Sequence, residues 1–374
     1  MHVVITGANG FVGRALTARL LTASLREDSS ADSEIGFGAD VRTDAQVLAN
    51  DRATPLAGAF ANIQRLTLVD LQFSQPRPWQ NDPRVRYVEG SIAEAEIIAA
   101  TLAGPVDCIF HLASIPGGAA ERDYLLGRRI NLDATLQLLE GLRAQQVLRD
   151  ADVTDRPGAV AAPPPHFVFA SSVAVYGEQL PAEMDEATLP APALTYGAHK
   201  LIGEILVADA TRLGWVKGCS LRLPGVVARP SGPSGLMSAF MSDLFWSLRD
   251  GKAITVPVSA EAVAWWISVD CCVENLIRAA CFQDSGTTSK LNPQRSYAMP
   301  VLRLTMADIV AALARRLGDD RQALVSYHPD ARIERLFGAY PPLDTSAALA
   351  GGLRHDGNVD ALVERALAGR SNND

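Results

Sequence analysis

The sequence predicts a doubly wound parallel α/β sheet that carries a smaller C-terminal lobe. Three observations carry that expectation. Short apolar runs alternate with helical stretches through the first 223 residues. The runs are apolar on both faces, as strands held between two helix layers must be. A glycine-rich turn, Gly7 to Gly13, joins the first run to the first helix. Repeated strand–helix–strand order makes neighbouring strands parallel.

In chain order the predicted strands are Val3–Thr6, Arg65–Leu71, Val85–Glu89, Cys108–Leu112, Phe167–Ser171 and Cys219–Leu223. The predicted helices are Phe11–Leu25, Ala93–Leu102, Arg128–Gln146 and Tyr196–Leu213. Two segments break the rhythm. Glu27–Asn62 is rich in Asp, Ser, Ala and Gly, and Arg149–Pro165 in Ala, Pro and Asp. Both read as surface insertions, the second stiffened by proline. Beyond Leu223 the pattern loses regularity. Residues 1–223 are therefore read as one domain and 224–374 mainly as the smaller lobe, with a segment near 264–280 returning to the sheet. No internal repeat is present.

Composition bounds the function. The chain has 374 residues, 48% hydrophobic and 20% charged, which suits a folded protein with a large core. Lys and Arg number 34 against 42 Asp and Glu, a formal net charge of −8. Such a balance disfavours nucleic acid or an anionic membrane as a partner, yet leaves room for a local basic pocket. Met1–Thr6 has no charged leader or cleavage site, so no export signal is read. The longest uncharged stretch, Pro157–Gly177, contains four prolines and is a poor membrane helix. The five cysteines are Cys108, Cys219, Cys271, Cys272 and Cys281. Their odd number and lack of C-x-x-C spacing point to buried thiols and a cytoplasmic protein, not to a disulfide frame or zinc site.

The run Thr6-Gly7-Ala8-Asn9-Gly10-Phe11-Val12-Gly13 follows a strand and opens a helix. Gly7 permits the tight turn, Gly10 lets backbone approach a pyrophosphate, and Gly13 allows close helix–strand contact. The helix N-terminus adds N–H donors and partial positive charge. This is the dinucleotide signature of a Rossmann sheet. An acidic residue follows it by roughly 20 positions in the usual spacing, at the end of the second strand, to hold a ribose hydroxyl. Here the candidate is Asp70, displaced by the length of the first insertion. No Arg stands immediately after Asp70, so NAD is favoured over NADP. The plainer reading of Asp70 is a solvated strand-end carboxylate.

Tyr196 and Lys200 are four residues apart and share one helix face. A tyrosine acting as a base near neutrality needs its pKa lowered from about 10 to about 7, roughly 4 kcal/mol of phenolate stabilisation. A nearby ammonium and a positive nicotinamide ring are suitable sources. Ser172 lies 24 residues upstream, at the C-terminal end of a strand, where open α/β sheets bind ligands.

Together the glycine loop, Ser171-Ser172…Val175-Tyr176-Gly177, Tyr196-x-x-x-Lys200 and Leu221-Arg222-Leu223-Pro224 resemble the extended short-chain dehydrogenase/reductases. The resemblance spans nearly the whole chain apart from the insertions. It implies that Ser172 orients the substrate oxygen, that Tyr196 is the acid/base, and that Lys200 binds nicotinamide ribose and lowers the Tyr pKa. Implied cofactor positions are Gly7, Asn9, Gly10, Phe11, Val12, Gly13 and Asp70, then Ser91 and Ile92 near adenine. Further on come Leu112, Ala113, Ser114, Asn131, Tyr196, Lys200, Pro224 and Val226. Ser91 departs from the Asp that many relatives place beside adenine. His111, in His111-Leu112-Ala113, reads as a packed strand-end residue in preference to a catalyst. Relatives often dimerise through two helices per subunit, so Arg128–Gln146 and Tyr196–Leu213 imply a homodimer.

Most extended members act on nucleotide-diphosphate sugars and carry an Asn shortly after the Leu-Arg strand. This sequence has Gly225 there. Ser234–Leu244 and Val256-Pro257-Val258 are similar to the subgroup of D-erythronate dehydrogenases. That similarity implies a small sugar acid as substrate, oxidised at its 2-hydroxyl with NAD. Its carboxylate needs cations or N–H donors. Arg222, Arg229, Ser234 and Ser238 are the candidates, each equally readable as a structural or solvated group. Trp265 and Trp266 read as core, with a pocket wall the alternative. Ser172, Tyr196 and Gly225 complete the implied substrate site. Two other readings stay open: a nucleotide-sugar epimerase or dehydratase using bound NAD, and a non-catalytic dinucleotide sensor.

Overall fold

A computed structural model describes residues 1–25, 59–154, 162–230, 232, 237–282 and 294–368. Residues 27–58 of the first predicted insertion, residues 155–161 of the second, and Ser234 lie outside the described residues.

The chain opens with β1 (His2–Thr6), α1 (Phe11–Leu25), β2 (Arg65–Asp70), β3 (Val85–Glu89) and β4 (Cys108–His111). Then come α2 (Ala134–Thr154), β5 (His166–Ser172), α3 (Thr195–Arg212) and β6 (Lys217–Leu223). Helix α2 runs past the predicted end at Gln146, because the stretch Arg149–Thr154, read as the start of an insertion, holds no breaker before Pro157.

The lobe contains β7 (Gly225–Val227), α4 (Phe240–Arg249), β8 (Ile254–Val256) and β9 (Val263–Ser268). Next are α5 (Val269–Ala279), β10 (Ser296–Ala298), β11 (Leu302–Thr305), α6 (Met306–Leu317) and β12 (Val325–Tyr327). Two further helices, α7 (Ala331–Phe337) and α8 (Val359–Ala368), close the described chain.

Seven strands form one parallel sheet in the order β10-β6-β5-β4-β1-β2-β3. The strand order reverses between β1 and β4, which opens a crevice at their carboxyl ends. Alternation along β1 divides the core into two layers. Val3 and Ile5 pack with Leu16 and Leu20 of α1 and Leu276 of α5. Val4 faces the other side, against Leu138 and Leu142 of α2 and Val207 of α3.

The segment near 264–280 divides. Helix α5 packs back on α1 and β6, with Cys271, Cys272 and Leu276 buried. Strand β9 pairs instead with β7 and β11 in a separate three-stranded sheet, and β10 supplies the seventh strand of the main sheet. The lobe has its own core, built on Phe245, Trp266, Ile309, Leu313 and Leu362. No helix among the described residues is long and apolar enough to cross a membrane.

The glycine turn is constrained by its neighbours. Gly7 has φ +73°, and a Cβ there would lie 2.8 Å from Ala113 N. A Cβ on Gly13 would lie 2.2 Å from Gly7 O. Gly13→Val is therefore expected to push α1 away from the loop, at about 1–3 kcal/mol. Thermal unfolding should show a lower Tm, and NAD titration at least tenfold weaker binding. A variant matching wild type in both would show that this contact sets nothing.

Candidate active site

The site lies where the loops after β1, β4 and β5 meet the start of α3. Asp70 ends β2 beside the glycine turn. Its carboxylate accepts hydrogen bonds from the backbone N–H of Asn9 (2.8 Å), Leu71 (2.7 Å) and Gly10. Burial raises its pKa above the usual carboxylate value, against the pull of those three donors. Asn9 donates from Nδ2 to Gln72 O, while its Oδ1 is buried without a partner. An orphaned buried acceptor in the turn that opens α1 fits a dinucleotide that brings its own hydroxyl donors. Phe11 and Val12 form the first turn of α1 and pack partly on the core.

The loop after β4 is locked to the turn. Leu112 N donates to Thr6 O, and Ala113 N to Thr6 Oγ1. His111 bridges Thr6 Oγ1 (2.7 Å) and Thr135 Oγ1 (2.9 Å) while almost fully buried, which lowers its pKa to about 3. It is a neutral packing residue and does not face the crevice as a proton donor. Asn131 clamps the same loop, since its Oδ1 accepts from Ile115 N (2.8 Å) and its Nδ2 donates to Ile115 O (3.1 Å). That clamp holds Ser114 at the crevice. Ser91 accepts from Ala93 N, and Ile92 is buried with Val69 and Val88.

The catalytic triplet predicted from spacing is brought together. Ser172 and Ser114 flank the Tyr196 phenol and pull its pKa down. Ser172 Oγ accepts from Ala174 N at 3.1 Å, which leaves its proton free to donate. Lys200 Nζ lies 5.6 Å from the Tyr196 ring centroid and 4.8 Å from that of Phe169. Burial raises the Tyr196 pKa, opposed by the two serines and by the positive charge of Arg229. Lys200 is 1% exposed, and burial lowers its pKa to about 7. NAD, when bound, supplies the hydride acceptor and a further positive charge.

A cavity of about 500 Å³ opens beside this triplet. Ser172, Tyr196, Pro224, Gly225, Arg229 and Ser238 line it. A Cβ on Gly225 would stand 3.2 Å from Met241 Cε and 3.3 Å from Trp265 O, so a larger residue there would crowd the wall. Trp265 is part of that wall, with Nε1 donating to Pro341 O, whereas Trp266 sits in the lobe core. Val226 keeps its side chain in the main core.

Arg222 is a correction. It was expected at the substrate, but its guanidinium points under the site. It makes a two-pronged ion pair with Glu204 (2.9 and 2.7 Å) and donates to Tyr176 OH (2.9 Å). Glu204 sits on α3, eight residues beyond Tyr196, and faces β6. Sequence reading missed two other arginines of the cavity, Arg332 and Arg335 on α7. Their only trace in sequence is an Arg-x-x-Arg spacing far from every motif.

The NAD-dependent epimerase/dehydratase family matches residues 3–292. The chain belongs to that family. It is similar to D-erythronate dehydrogenase of Cupriavidus necator, 31% identical over 97% of both chains. It is also similar to D-erythronate dehydrogenase of Haemophilus influenzae, 27% identical over 98% of both. A solved nucleoside-diphosphate-sugar epimerase from Agrobacterium tumefaciens superposes with TM-score 0.76 and 26% identity, covering 99% of this chain and 95% of that one. As a member of the epimerase/dehydratase family, the chain is an NAD-dependent dehydrogenase built on a Rossmann sheet, with NAD as its cofactor.

Stability of the cofactor-free enzyme reports on Lys200. Its proton leaves at about 7 in the folded state and near 10.4 in the unfolded chain. Between those values the unfolded state binds more protons, so stability rises with pH. Chemical denaturation from pH 7 to 10 should show wild type gaining stability relative to Lys200→Met. Parallel curves would mean that the amine is hydrated.

Proposed function

We propose that this enzyme oxidises the 2-hydroxyl of a small sugar acid such as D-erythronate to the 2-oxo acid. End-to-end similarity to two D-erythronate dehydrogenases carries the reading. The site supports it. The reacting hydroxyl hydrogen bonds to Tyr196 and Ser172, and Tyr196 takes its proton as hydride leaves the same carbon. Lys200 and Arg229 stabilise the phenolate. Ser114 and Ser172 act in the same direction on the phenol. Arg229, the cation whose charge acts on Tyr196, lines the same cavity and is the group we assign to the carboxylate. Gly225 leaves Met241 and Trp265 close against the cavity, which suits a small acid. NADH formation with D-erythronate, L-threonate and UDP-glucose tests the reading. Turnover with D-erythronate is expected. Interconversion of a nucleotide sugar on retained NAD, with no aldonate oxidised, would replace it. Tyr196→Phe should keep NAD binding and lose roughly a hundredfold or more in turnover. Unchanged turnover would remove Tyr196 from the reaction.

A homodimer belongs to the same proposal. Ile202 and Ile205 on α3 and Leu136 on α2 are exposed, Ile205 at 60%, along two neighbouring helices. An apolar stripe of this kind suits a second copy of the chain. Light scattering after gel filtration should give a dimer mass for wild type and a monomer mass for Ile205→Glu. A wild-type monomer would refute it.

A further inference from the structure

Helix α7 forms one wall of the cavity beside Tyr196, and it presents two arginines there. Arg332 and Arg335 are three residues apart and so share one helix face. Both line the cavity together with Arg229. The helix is fixed by its other groups. Glu334 accepts from Ser259 N at 2.8 Å and from Ser259 Oγ at 2.5 Å. Asp330 caps the first turn by accepting from Arg332 N and Ile333 N. Phe337 meets Phe240 edge to face. Just beyond the helix, Tyr340 lies over Trp265 with ring centroids 4.6 Å apart.

The acidic residues nearest the two arginines are thus committed elsewhere. Among the described residues, none of Arg229, Arg332 and Arg335 forms an ion pair. Glu178 is the one carboxylate among the described residues that line the cavity. Three guanidinium groups facing one carboxylate stand out in a chain of net charge −8. Arg229 is half-buried while Arg332 and Arg335 are exposed at the cavity's open side, so an anion that enters meets all three positive charges. Guanidinium also forks onto a carboxylate with two parallel hydrogen bonds, which makes it suited to such an anion.

We propose that Arg332 and Arg335 are specificity-determining residues that bind the substrate's carboxylate and select sugar acids over neutral polyols. This rests on the sugar-acid reading above. Arg229 works beside the phenol, while Arg332 and Arg335 approach the same carboxylate from α7. The seating of α7 fixes the stretch of backbone that carries both arginines beside the cavity.

The test uses the full-length enzyme with Arg332→Gln, Arg335→Gln and the double substitution. In steady state the double variant should lose ten- to a hundredfold in kcat/KM for D-erythronate, mostly through KM, with kcat much less affected. The preference for D-erythronate over its neutral amide should shrink. The fall of kcat/KM with added salt should flatten, because a steering charge is gone. NAD affinity should stay at the wild-type value. A second readout needs no turnover: D-erythronate is titrated into the NADH-loaded enzyme, which cannot oxidise it. Tight binding to wild type and weakened binding to the double variant support the anion site. Equal binding, equal KM and an equal salt dependence would overturn it and leave the two arginines as solvated charges. If wild type binds the acid through these residues but never oxidises it, the reaction assigned above fails while the anion site stands.

Discussion

Removal of Tyr196 and Lys200 from water is the constraint on which the site depends. Burial favours the neutral form of each group. It raises the phenol, which on the proposed mechanism must lose a proton, and lowers the lysine to about 7, although that mechanism calls on its charge. The two effects oppose the chemistry together, so a Tyr and a Lys on one helix face are insufficient by themselves. Ser114, Ser172 and the charge of Arg229 act in the other direction. Each arrives from a different part of the chain: the loop after β4, the end of β5, and the segment after β7. The parallel sheet brings the first two to one edge, and the lobe's three-stranded sheet, through β7, brings Arg229 there.

Beneath that edge a second, buried polar group keeps α3 in register with β5 and β6. Glu204 accepts from Arg222 on β6 and from Ser171 at the end of β5, and Arg222 reaches on to Tyr176. A buried ion pair of this kind gives little net stability, yet removal of one partner is strongly destabilising because the other is left uncompensated. Its value here is geometric. Ser171 and Ser172 are neighbours on β5, so the first points into the Glu204 network while the second faces Tyr196. The strand's alternation thus couples a structural ion pair to the orientation of the hydroxyl beside Tyr196.

The parts of this arrangement legible in sequence are those governed by local rules. The Gly7–Gly13 turn, the both-face apolar strands and the four-residue spacing of Tyr196 and Lys200 each follow from backbone geometry over a few residues. Asp70 could be placed because its strand ends beside the glycine turn in any sheet of this order. Arg222 could not be placed, since spacing alone does not tell which side of β6 a residue faces or that Glu204 waits there. The seventh strand was hidden for a similar reason. Ser296–Ala298 is three residues long, and its pairing with β6 is a tertiary event, whereas the longer apolar run Val263–Ser268 was the more visible candidate. Arg332 and Arg335 enter the cavity only because Glu334 and Phe337 seat α7 against the lobe.

Charge distribution links these levels. A chain of net charge −8 repels an acidic substrate at long range, with a reach of about 10 Å at moderate salt. A site for an anion in such a protein needs a local reversal of sign, and the reversal must be shielded from the chain's own carboxylates. The lobe achieves this by pairing. Glu334 is held by Ser259, Asp330 by backbone N–H groups of its own helix, and Asp356 by Ser268 and Arg365. Each of these carboxylates keeps its charge but is turned onto donors of its own, which leaves the cavity arginines without a carboxylate partner among the described residues. On the proposed sugar-acid reading, the lobe's contribution is therefore the placement of three arginines at one cavity together with the engagement of its own nearby carboxylates elsewhere.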